Sequence, residues 1–423
     1  EIYIQMINLI LAAYNFMLLV FLVPILLAIV LSGKKNRKDF FYCIKERLAL
    51  WDMPKLDRNK KTVWLHCASL GEAKALEPMI SYLQNYNVII STITKSARQY
   101  VSCIKGVAYY ALAPVDLYPF ISSTVNKVKP DVLILIETEF WPGMIYCAKK
   151  TGAKIITVNG RISKTAFPYY KISSCFWKYF LNLIDSILVR NSMDFERFSK
   201  ILKNTKNIKI TGNIKYDRDF AKETISRESL FYKQDDLILT AGSTRDGEET
   251  ILIDVFKKLK TKFMNLKLII APRHISRVKD ICKMLDQKQI KFSLFSDLQN
   301  AFNDVLVLDV FGKLQTIYSI SDIVFIGGSF ATKGGQNPIE PAAYSKPVIF
   351  GRSMYNFENE SELLKNNLGA LQAKDENELK NIIDKLLSDE NYRITTGKNA
   401  RQTVQAQKGA IQANADIIKS YLK

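Results

Sequence analysis

This sequence has few histidines and no clustered cysteines. It contains only His66 and His274, and its six cysteines are scattered with no C-x-x-C pair. A zinc site or another metal site built from His and Cys is therefore nearly excluded, and we expect no bound metal and no cofactor. Because several cysteines lie in apolar segments, we predict free, mostly buried thiols in a reducing compartment.

Acidic residues are outnumbered by basic ones. The 423-residue chain has 60 Lys and Arg against 41 Asp and Glu, which gives a formal net charge of +19. This excess favours an anionic partner such as phospholipid, a phosphorylated substrate or nucleic acid. The sequence has no zinc-finger spacing, no RNA-binding signature and no interleaving of aromatic with basic residues. We therefore predict no nucleic acid partner.

Charge is missing altogether from residues 7–31, INLILAAYNFMLLVFLVPILLAIVL. Since a helix of about 20 apolar residues crosses a bilayer, residues 1–33 are predicted to be a transmembrane or membrane-anchor helix. Four basic residues follow and would keep the rest of the chain in the cytoplasm: Lys34, Lys35, Arg37 and Lys38. Pro24 leaves open a kinked helix that lies in one leaflet. Residues 34–61 are predicted to be a basic connector.

Beyond the connector, short apolar runs alternate with stretches of helical periodicity. The predicted strands are 63–68, 88–93, 107–112, 132–136, 155–158, 187–189 and 208–211, followed by 237–241, 266–271, 305–308, 323–326 and 348–350. This alternation predicts two doubly wound α/β lobes that face a cleft. The predicted domains are a first lobe at 62–214, a linker at 215–234, a second lobe at 235–391, and a C-terminal helix at 392–423 that packs back across the cleft.

In the first lobe, a carboxylate follows the first predicted strand. Ser69 and Glu72 have the S-x-x-E spacing of a capping box, in which Glu72 would only bond to the start of a helix. The alternative is that Glu72, beyond the carboxyl end of a strand, acts as general base on an incoming hydroxyl group. The spacing alone leaves both interpretations open.

Further charges follow other strands of this lobe. The motif ETEFWP brings Glu137 and Glu139 directly after five apolar residues. Burying two carboxylates together would raise the pKa of one of them. Two later loops place Arg161 and Lys215 at corresponding strand ends, where a cation would neutralise an anionic substrate or leaving group.

The second lobe has a glycine cluster between a strand and a helix. The glycines that would let a ligand approach the backbone are Gly327, Gly328, Gly334 and Gly335. We predict Asn337 as the N-cap, Pro338 as the first helical residue and Glu340 in the first turn, so that exposed N–H groups there bind an anion. Arg273, directly after a buried strand, would bind a phosphate. A DRD at 217–219 resembles a metal-binding DxD, but it lies in the charged linker and we predict no metal there.

Six short motifs occur in order along the chain: LGEAKAL, ETEFWP, TGNIK, APRH, FGKL and GGSFATKGGQNPIEPAA. In these motifs the chain resembles the 3-deoxy-D-manno-octulosonic acid (Kdo) transferases of lipopolysaccharide assembly. The resemblance implies the GT-B fold, CMP-Kdo as the donor and a lipid A precursor of the lipid IVA type as the acceptor, at the cytoplasmic face of the bacterial inner membrane. It also implies that residues 62–214 bind the acceptor and residues 235–391 bind the CMP-sugar.

The resemblance implies roles for individual residues as well. Glu72 corresponds to the general base of the family, and Glu137 and Lys215 correspond to residues that support the transition state. The residues implied to bind the donor are Pro272, Arg273, Gly312, Lys313, Leu314, Asn337, Pro338, Ile339 and Glu340. The implied reaction is an inverting single displacement that needs no metal.

Two other functions remain compatible with the residues. One is a different membrane-associated GT-B transferase that uses a UDP-sugar. The other is a non-catalytic, membrane-tethered nucleotide-binding protein, in which Glu72 is only a capping residue.

Overall fold

The computed structural model describes residues 2–31, 41–202, 204–220, 224–298 and 303–423. The chain divides into two compact units. The first extends to Arg218 and takes in Lys408–Lys423, and the second is Asp219–Gln407. Each unit is built on its own parallel sheet.

The first unit contains a seven-stranded sheet. Its strands are β1 (Thr62–Cys67), β2 (Asn87–Thr92), β3 (Tyr109–Leu112), β4 (Val132–Ile136), β5 (Lys154–Gly160), β6 (Ser186–Val189) and β7 (Ile208–Ile210). Every residue of β1, β2, β4 and β6 is buried, as expected where helices cover both faces of a parallel sheet. The strand order β3-β2-β1-β4-β5-β6-β7 reverses direction between β1 and β4, the place where doubly wound folds bind ligands.

Helices form a hydrophobic core on each face of this sheet. They are α1 (Ile2–Leu31), α2 (Ile44–Arg47), α3 (Leu70–Ile80), α4 (Lys95–Val101), α5 (Tyr118–Val128), α6 (Pro142–Lys150), α7 (Phe167–Ile172), α8 (Ser174–Leu181) and α9 (Ser192–Leu202). Successive residues of a strand enter opposite cores: Trp64 packs with α1, α5 and α6, whereas Val63 packs with α3.

The N-terminal helix α1 is 30 residues long and lies against the first unit through one face. Ile7 and Leu11 are buried in the core of that unit. Three polar residues of α1 bond to the same unit: Asn8 with the Tyr146 hydroxyl (2.5 Å), Tyr14 with Asp116 (2.9 Å) and Asn15 with the Tyr118 N–H (2.7 Å). The few polar residues in the uncharged stretch are thus used to dock the helix.

Over the described residues, no helix combines the length and the apolar character that crossing a membrane requires. The predicted membrane-spanning helix is therefore not supported, although the stretch is helical. The four basic residues that were expected to orient it lie outside the described residues.

Asp116 joins α1 to the helix that follows β4. Its buried carboxylate accepts hydrogen bonds from the N–H groups of Gly143 (2.9 Å) and Met144 (2.8 Å) in the first turn of α6, and from the Tyr14 hydroxyl. Glycine is needed at 143, because a Cβ there would lie 2.7 Å from Asp116 Oδ1. Burial raises the pKa of Asp116 to about 7, although the three donors act in the opposite direction.

The second unit repeats this architecture. Its strands are β8 (Leu237–Thr244), β9 (Leu266–Pro272), β10 (Phe292–Leu294), β11 (Val305–Val307), β12 (Ile323–Ile326), β13 (Val348–Phe350) and β14 (Ala370–Gln372). Its helices are α10 (Glu248–Lys260), α11 (Val278–Gln287), α12 (Leu314–Ile317), α13 (Ile339–Ala343), α14 (Glu358–Asn366), α15 (Glu376–Ser388) and α16 (Glu390–Ala406). The strand order β10-β11-β9-β8-β12-β13-β14 reverses direction between β8 and β12.

At its C-terminus the chain returns to the first unit. After a turn at Gly409, where φ is 106°, helix α17 (Ala410–Tyr421) packs on the first unit through Ile411 and Ile418. The stretch predicted as one helix, 392–423, therefore contains parts of two, because the left-handed backbone at Gly409 interrupts the helical path.

The predicted fold class of two doubly wound α/β units is confirmed, and all the predicted strands are present with small shifts at their ends. The sequence analysis missed β10 and β14. Each has three residues and forms an edge of the second sheet, so neither has the long buried run that marks a central strand.

The buried carboxyl of Asp116 should make the stability of the first unit depend on pH. Its pKa of about 7 exceeds the ordinary Asp value of about 3.9, so between these values the folded protein holds a proton that the unfolded chain releases. The stability contributed by this group is complete below about pH 4 and is lost as pH rises through about 7. Urea unfolding at about pH 5 and about pH 8 measures this loss.

Asp116→Asn should lose the part of this pH dependence that Asp116 contributes, because the amide does not titrate, and should keep the part that comes from Glu72, whose pKa is also about 7. Asp286→Asn, an exposed position on α11, is the matched control and should keep the wild-type dependence. An Asp116→Asn protein whose stability still falls with pH as in the wild type would contradict the assignment.

Candidate active site

The first candidate residue, Glu72, lies in the opening turn of α3, directly beyond β1. Its carboxylate accepts hydrogen bonds from the Ala68 N–H (2.7 Å) and the Ser69 hydroxyl (2.8 Å), and the Ser69 oxygen accepts from the Glu72 N–H (3.3 Å). The capping interaction is therefore formed. It differs from the usual capping box in that Glu72 bonds to the residue before the N-cap.

The pKa of the Glu72 carboxyl group is raised as well. Burial raises the pKa of Glu72 to about 7, and the nearby charges of Glu137 and Glu139 add to the rise, whereas the two hydrogen bonds at Ala68 and Ser69 oppose it. A carboxyl group with a pKa near neutrality is suited to taking up a proton from a hydroxyl group. Capping and proton transfer are thus compatible in one side chain.

Glu137 follows β4, the neighbour of β1, and its carboxylate is almost completely buried. Lys215 Nζ lies 2.5 Å from Glu137 Oε1, and Asn159 Nδ2 donates to the same oxygen at 3.3 Å. Burial would raise the pKa of Glu137, but the cations Lys215, Arg190 and Arg161 outweigh burial and hold its pKa below the ordinary value. Glu137 is therefore ionised, whereas Glu72 is easily protonated.

A second polar array adjoins these carboxylates. Trp141 Nε1 donates to Glu139 Oε2 at 2.9 Å, and His66 Nε2 lies 3.7 Å from the same oxygen. His66 is fully buried, and its Nδ1 lies 2.9 Å from Ser91 Oγ, which also accepts from Trp64 Nε1. An indole N–H only donates, so Ser91 Oγ is the acceptor for Trp64, and the same hydroxyl group links Trp64 to the His66 ring.

Sequence analysis did not assign roles to Asn159 or His66. Asn159 bonds to Glu137 and also accepts from the Ile214 N–H at 3.2 Å, so it fixes the turn that carries Lys215. Its backbone φ of 59° is unusual for a residue other than glycine. The only sequence signal was its place at a strand end, beside Gly160.

In the second unit, the predicted donor residues lie beyond the carboxyl ends of neighbouring strands. Pro272 ends β9, and Arg273 follows it with an exposed side chain. Gly312 and Lys313 lie between β11 and α12, and Leu314 is the first residue of α12. Because β11, β9, β8 and β12 are adjacent in the sheet, these loops share one edge with the glycine-rich loop after β12.

Asn337, Pro338, Ile339 and Glu340 lie at the start of α13, but the helix begins one residue later than predicted. Pro338 is the residue before the first turn, and the helix contains only five residues, Ile339–Ala343. Asn337 Oδ1 accepts from the Ile339 N–H at 3.1 Å, and its amide donates to Glu340 Oε1 at 3.2 Å. A single short turn has a weaker dipole than a long helix, so the predicted anion site has less support than expected.

The glycine-rich loop after β12 is held by a residue that the sequence analysis missed. Glu248, at the start of α10, is buried, and its two carboxylate oxygens accept from the N–H groups of Arg245, Gly328, Phe330 and Ala331 at 2.7–3.2 Å. One carboxylate therefore ties the loop after β8 to the loop after β12. The sequence shows only an acidic residue in a first helical turn, a common surface feature.

Comparison with known proteins identifies the family. The family model described as 3-deoxy-D-manno-octulosonic-acid transferase (kdotransferase) matches residues 43–218. The chain is 31% identical over 377 residues to a 3-deoxy-D-manno-octulosonic acid transferase of Haemophilus influenzae, which covers 85% of this chain and 87% of the relative. The chain belongs to the Kdo transferase family.

Two further similarities bear on the whole chain. A bifunctional glycosyltransferase/methyltransferase of Fusobacterium nucleatum is 31% identical over 354 residues, which is 79% of this chain but 54% of that relative, so the chain spans about half of its length. The crystal structure of a glycosyltransferase from Rickettsia africae has a TM-score of 0.58 at 16% identity and covers 86% of this chain and 99% of that one. At this identity the likeness shows the fold alone, which is of the GT-B type.

Family membership makes the protein a glycosyltransferase, as the motifs predicted. The matched range contains Glu72, Glu137 and Lys215, the three candidates of the first unit, whereas the second-unit candidates lie outside it.

The DRD at 217–219 has a structural use. The Asp217 carboxylate accepts from the N–H groups of Gly409 (2.5 Å) and Ile411 (2.6 Å) at the start of α17. Asp217 therefore holds the returning C-terminal helix on the first unit, in a region predicted to be a linker.

Replacing Glu248 with glutamine should loosen the glycine-rich loop. Glutamine has one acceptor oxygen and a donor NH₂ group. Of the four backbone N–H groups that bond to Glu248, those that face the NH₂ group would therefore lose their acceptor. Leaving buried donors unpaired costs about 1–3 kcal/mol. We expect lower stability in urea and faster tryptic cleavage after Lys333, which is exposed in this loop.

Asp246→Asn is the matched control, since Asp246 lies two residues before Glu248, in the loop after β8, and its side chain is 85% exposed. It should cleave and unfold like the wild type. A Glu248→Gln protein with wild-type cleavage would mean that the carboxylate does not hold the loop.

Proposed function

We propose that the protein transfers Kdo from CMP-Kdo to a hydroxyl group of a lipid A precursor, with inversion at the anomeric carbon. The observation that carries the proposal is the pair of carboxyl groups with opposite pKa shifts beyond β1 and β4: Glu72 titrates near neutrality and Glu137 stays ionised. Such divergence separates a proton acceptor from a fixed charge. Family membership supports Kdo as the transferred sugar.

In the proposed reaction, Glu72 takes the proton of the acceptor hydroxyl as its oxygen bonds to the anomeric carbon. The bond from that carbon to the CMP phosphate breaks on the opposite face, and CMP leaves with the bonding electrons. Glu137, held ionised by Lys215, keeps negative charge beside Glu72 and so favours proton uptake there. Lys215 supplies the compensating positive charge near the transition state.

The second unit would hold the donor. Arg273 is exposed just beyond β9, and within the described residues no ion pair engages its guanidinium, so it is free to bind the CMP phosphate with two parallel hydrogen bonds. The neighbouring Lys313, also exposed, adds positive charge at the same sheet edge. Asn337 and Pro338 lie at the end of the loop after β12, at the same edge of the sheet. This assignment needs no metal ion.

The acceptor chemistry suggests that the first unit works on a membrane surface, the cytoplasmic face of the inner membrane. The face of α1 that points away from the protein exposes Leu9, Phe16 and Val20. On α7, Ile172 is 82% exposed. We propose that α1 lies in one leaflet, with this apolar face in lipid and the basic protein above anionic headgroups.

Glu72→Gln should abolish Kdo transfer, because glutamine cannot take up the proton. It should leave CMP affinity near the wild-type value, whereas Arg273→Ala should weaken CMP binding.

In the wild type, kcat/KM should rise as pH increases through about 7, since the pKa of Glu72 lies there. Assays with CMP-Kdo and a defined lipid A precursor, read by mass spectrometry, measure transfer, and parallel incubation with UDP-sugars tests the alternative donor.

Ser69→Ala separates capping from catalysis. It removes the N-cap and should cost about 0.5–2 kcal/mol of stability while reducing transfer far less than Glu72→Gln does. Substantial transfer by Glu72→Gln would overturn the assignment of the base, and turnover of UDP-sugars alone would overturn the donor.

Phe16→Glu should reduce binding to vesicles that contain anionic phospholipid, because it places a charge on the face of α1 proposed to enter lipid. Met264→Glu is the control, since Met264 is an exposed apolar residue of the second unit. Co-sedimentation with vesicles should separate the two variants. Equal binding by both would refute the membrane-facing role of α1.

A further inference from the structure

A large cavity lies in the first unit between α1, α8 and the loops after β3 and β4. Its volume is about 870 Å³, within the range of about 300–1,000 Å³ that is usual for small-molecule sites. The apolar side chains that α1 and α8 contribute to its lining are Ile10, Ala13, Met17, Leu18, Phe176 and Trp177. These groups form an apolar wall, and four of the six belong to α1.

The polar residues that line the cavity are Tyr14, Arg47, Asp116, Thr138 and Glu139, and Arg47 Nη2 donates to the Ile93 carbonyl at 2.8 Å. Tyr14 and Asp116 bond to each other, so neither needs a ligand. Glu139 lines the cavity beside Trp141, whose indole nitrogen donates to it at 2.9 Å. Glu139 also contributes to the raised pKa of Glu72. The cavity therefore begins at the candidate active site and continues into an apolar region.

The cavity is also open towards solvent along α1. Met17 lines it, yet the residue is 56% exposed, and the neighbouring Phe16 belongs to the exposed apolar face of the helix. A ligand can therefore enter along an apolar path from that face. A sugar or phosphate group would lose its hydrogen bonds to water inside such walls, whereas a hydrocarbon chain would lose none.

We infer that this cavity binds one acyl chain of the acceptor lipid, so that the chain anchors the acceptor sugar next to Glu139 and Glu72. The inference rests on the proposed function for the nature of the acceptor. It adds a role that the function does not require: α1 forms a wall of the substrate site and helps to select the length of the bound chain. Hydrophobic burial of the chain supplies the binding energy.

The test compares Ala13→Trp with Ala12→Trp. Ala13 lines the cavity, whereas Ala12 is an exposed neighbour on α1 that does not, so both variants carry the same added bulk on the same helix. The acceptors are a lipid A precursor with long acyl chains and its fully deacylated disaccharide bisphosphate. Ala13→Trp should lower the ratio of kcat/KM for the acylated over the deacylated acceptor by about tenfold or more, and Ala12→Trp should keep the wild-type ratio.

A second readout does not depend on turnover. An acceptor that carries a photoreactive diazirine in its acyl chain should label Met17, Phe176 or Trp177 in the wild type, with much less labelling in Ala13→Trp. Thermal unfolding of both variants checks that they fold. Equal preference ratios and equal labelling in the two variants would overturn the inference.

The outcomes separate this inference from the proposed function. If the wild type transfers Kdo but Ala13→Trp keeps its preference and its labelling, the cavity assignment fails and the function stands. If the cavity is labelled by the acyl probe but CMP-Kdo is never consumed, the proposed function fails. If a diazirine phospholipid labels the cavity while the acceptor probe does not, the occupant is a membrane lipid and the inference is wrong.

Discussion

The candidate active site depends on the ion pair between Glu137 and Lys215. Glu137 is 9% exposed, and burial alone would drive its carboxyl group towards the neutral form. With Lys215 Nζ 2.5 Å away, the carboxylate stays charged, and its charge in turn helps to raise the pKa of Glu72. Removing one partner of a buried pair typically costs about 3–5 kcal/mol. The ion pair thus keeps Glu137 charged, and that charge adds to the effect of burial on the pKa of Glu72.

Carboxylates also organise the loops of both units. Asp116 accepts two N–H groups at the start of α6, Glu248 accepts four from the loops after β8 and β12, and Asp217 accepts two at the start of α17. A carboxylate offers several acceptor sites and can satisfy N–H groups that secondary structure leaves unpaired. Glu72 combines this structural use with a pKa suited to proton transfer.

Helix α1 combines an apolar outer face with polar contacts to the rest of the first unit. Its apolar outer face suits a membrane surface, but Asn8, Tyr14 and Asn15 bond to the first unit, and Tyr14 is linked through Asp116 to the first turn of α6. That turn directly follows Trp141, which holds Glu139. Helix α1 and a loop at the candidate active site are therefore parts of one bonded structure, and the cavity proposed to bind an acyl chain lies between them.

The sequence by itself determined the fold class and the candidates of the first unit. Runs of Val, Ile and Leu identified the central strands, because such runs are buried on both faces of a parallel sheet. Glu72, Glu137 and Lys215 were found because each follows a strand, and the carboxyl ends of parallel strands meet at one edge. Short edge strands such as β10 and β14 have no comparable signal.

Only the tertiary structure decided which charges pair and which loops they hold. Glu248 bonds to N–H groups some 80 residues away, Asp116 receives the hydroxyl of Tyr14 from about 100 residues earlier, and Asp217 caps a helix almost 200 residues later. Spacing along the chain reports only on neighbours within a helix turn or a strand. For the same reason the sequence identified an uncharged stretch at residues 7–31, but only the packing of Ile7, Leu11 and Tyr14 revealed that this stretch forms a wall of the first unit's cavity.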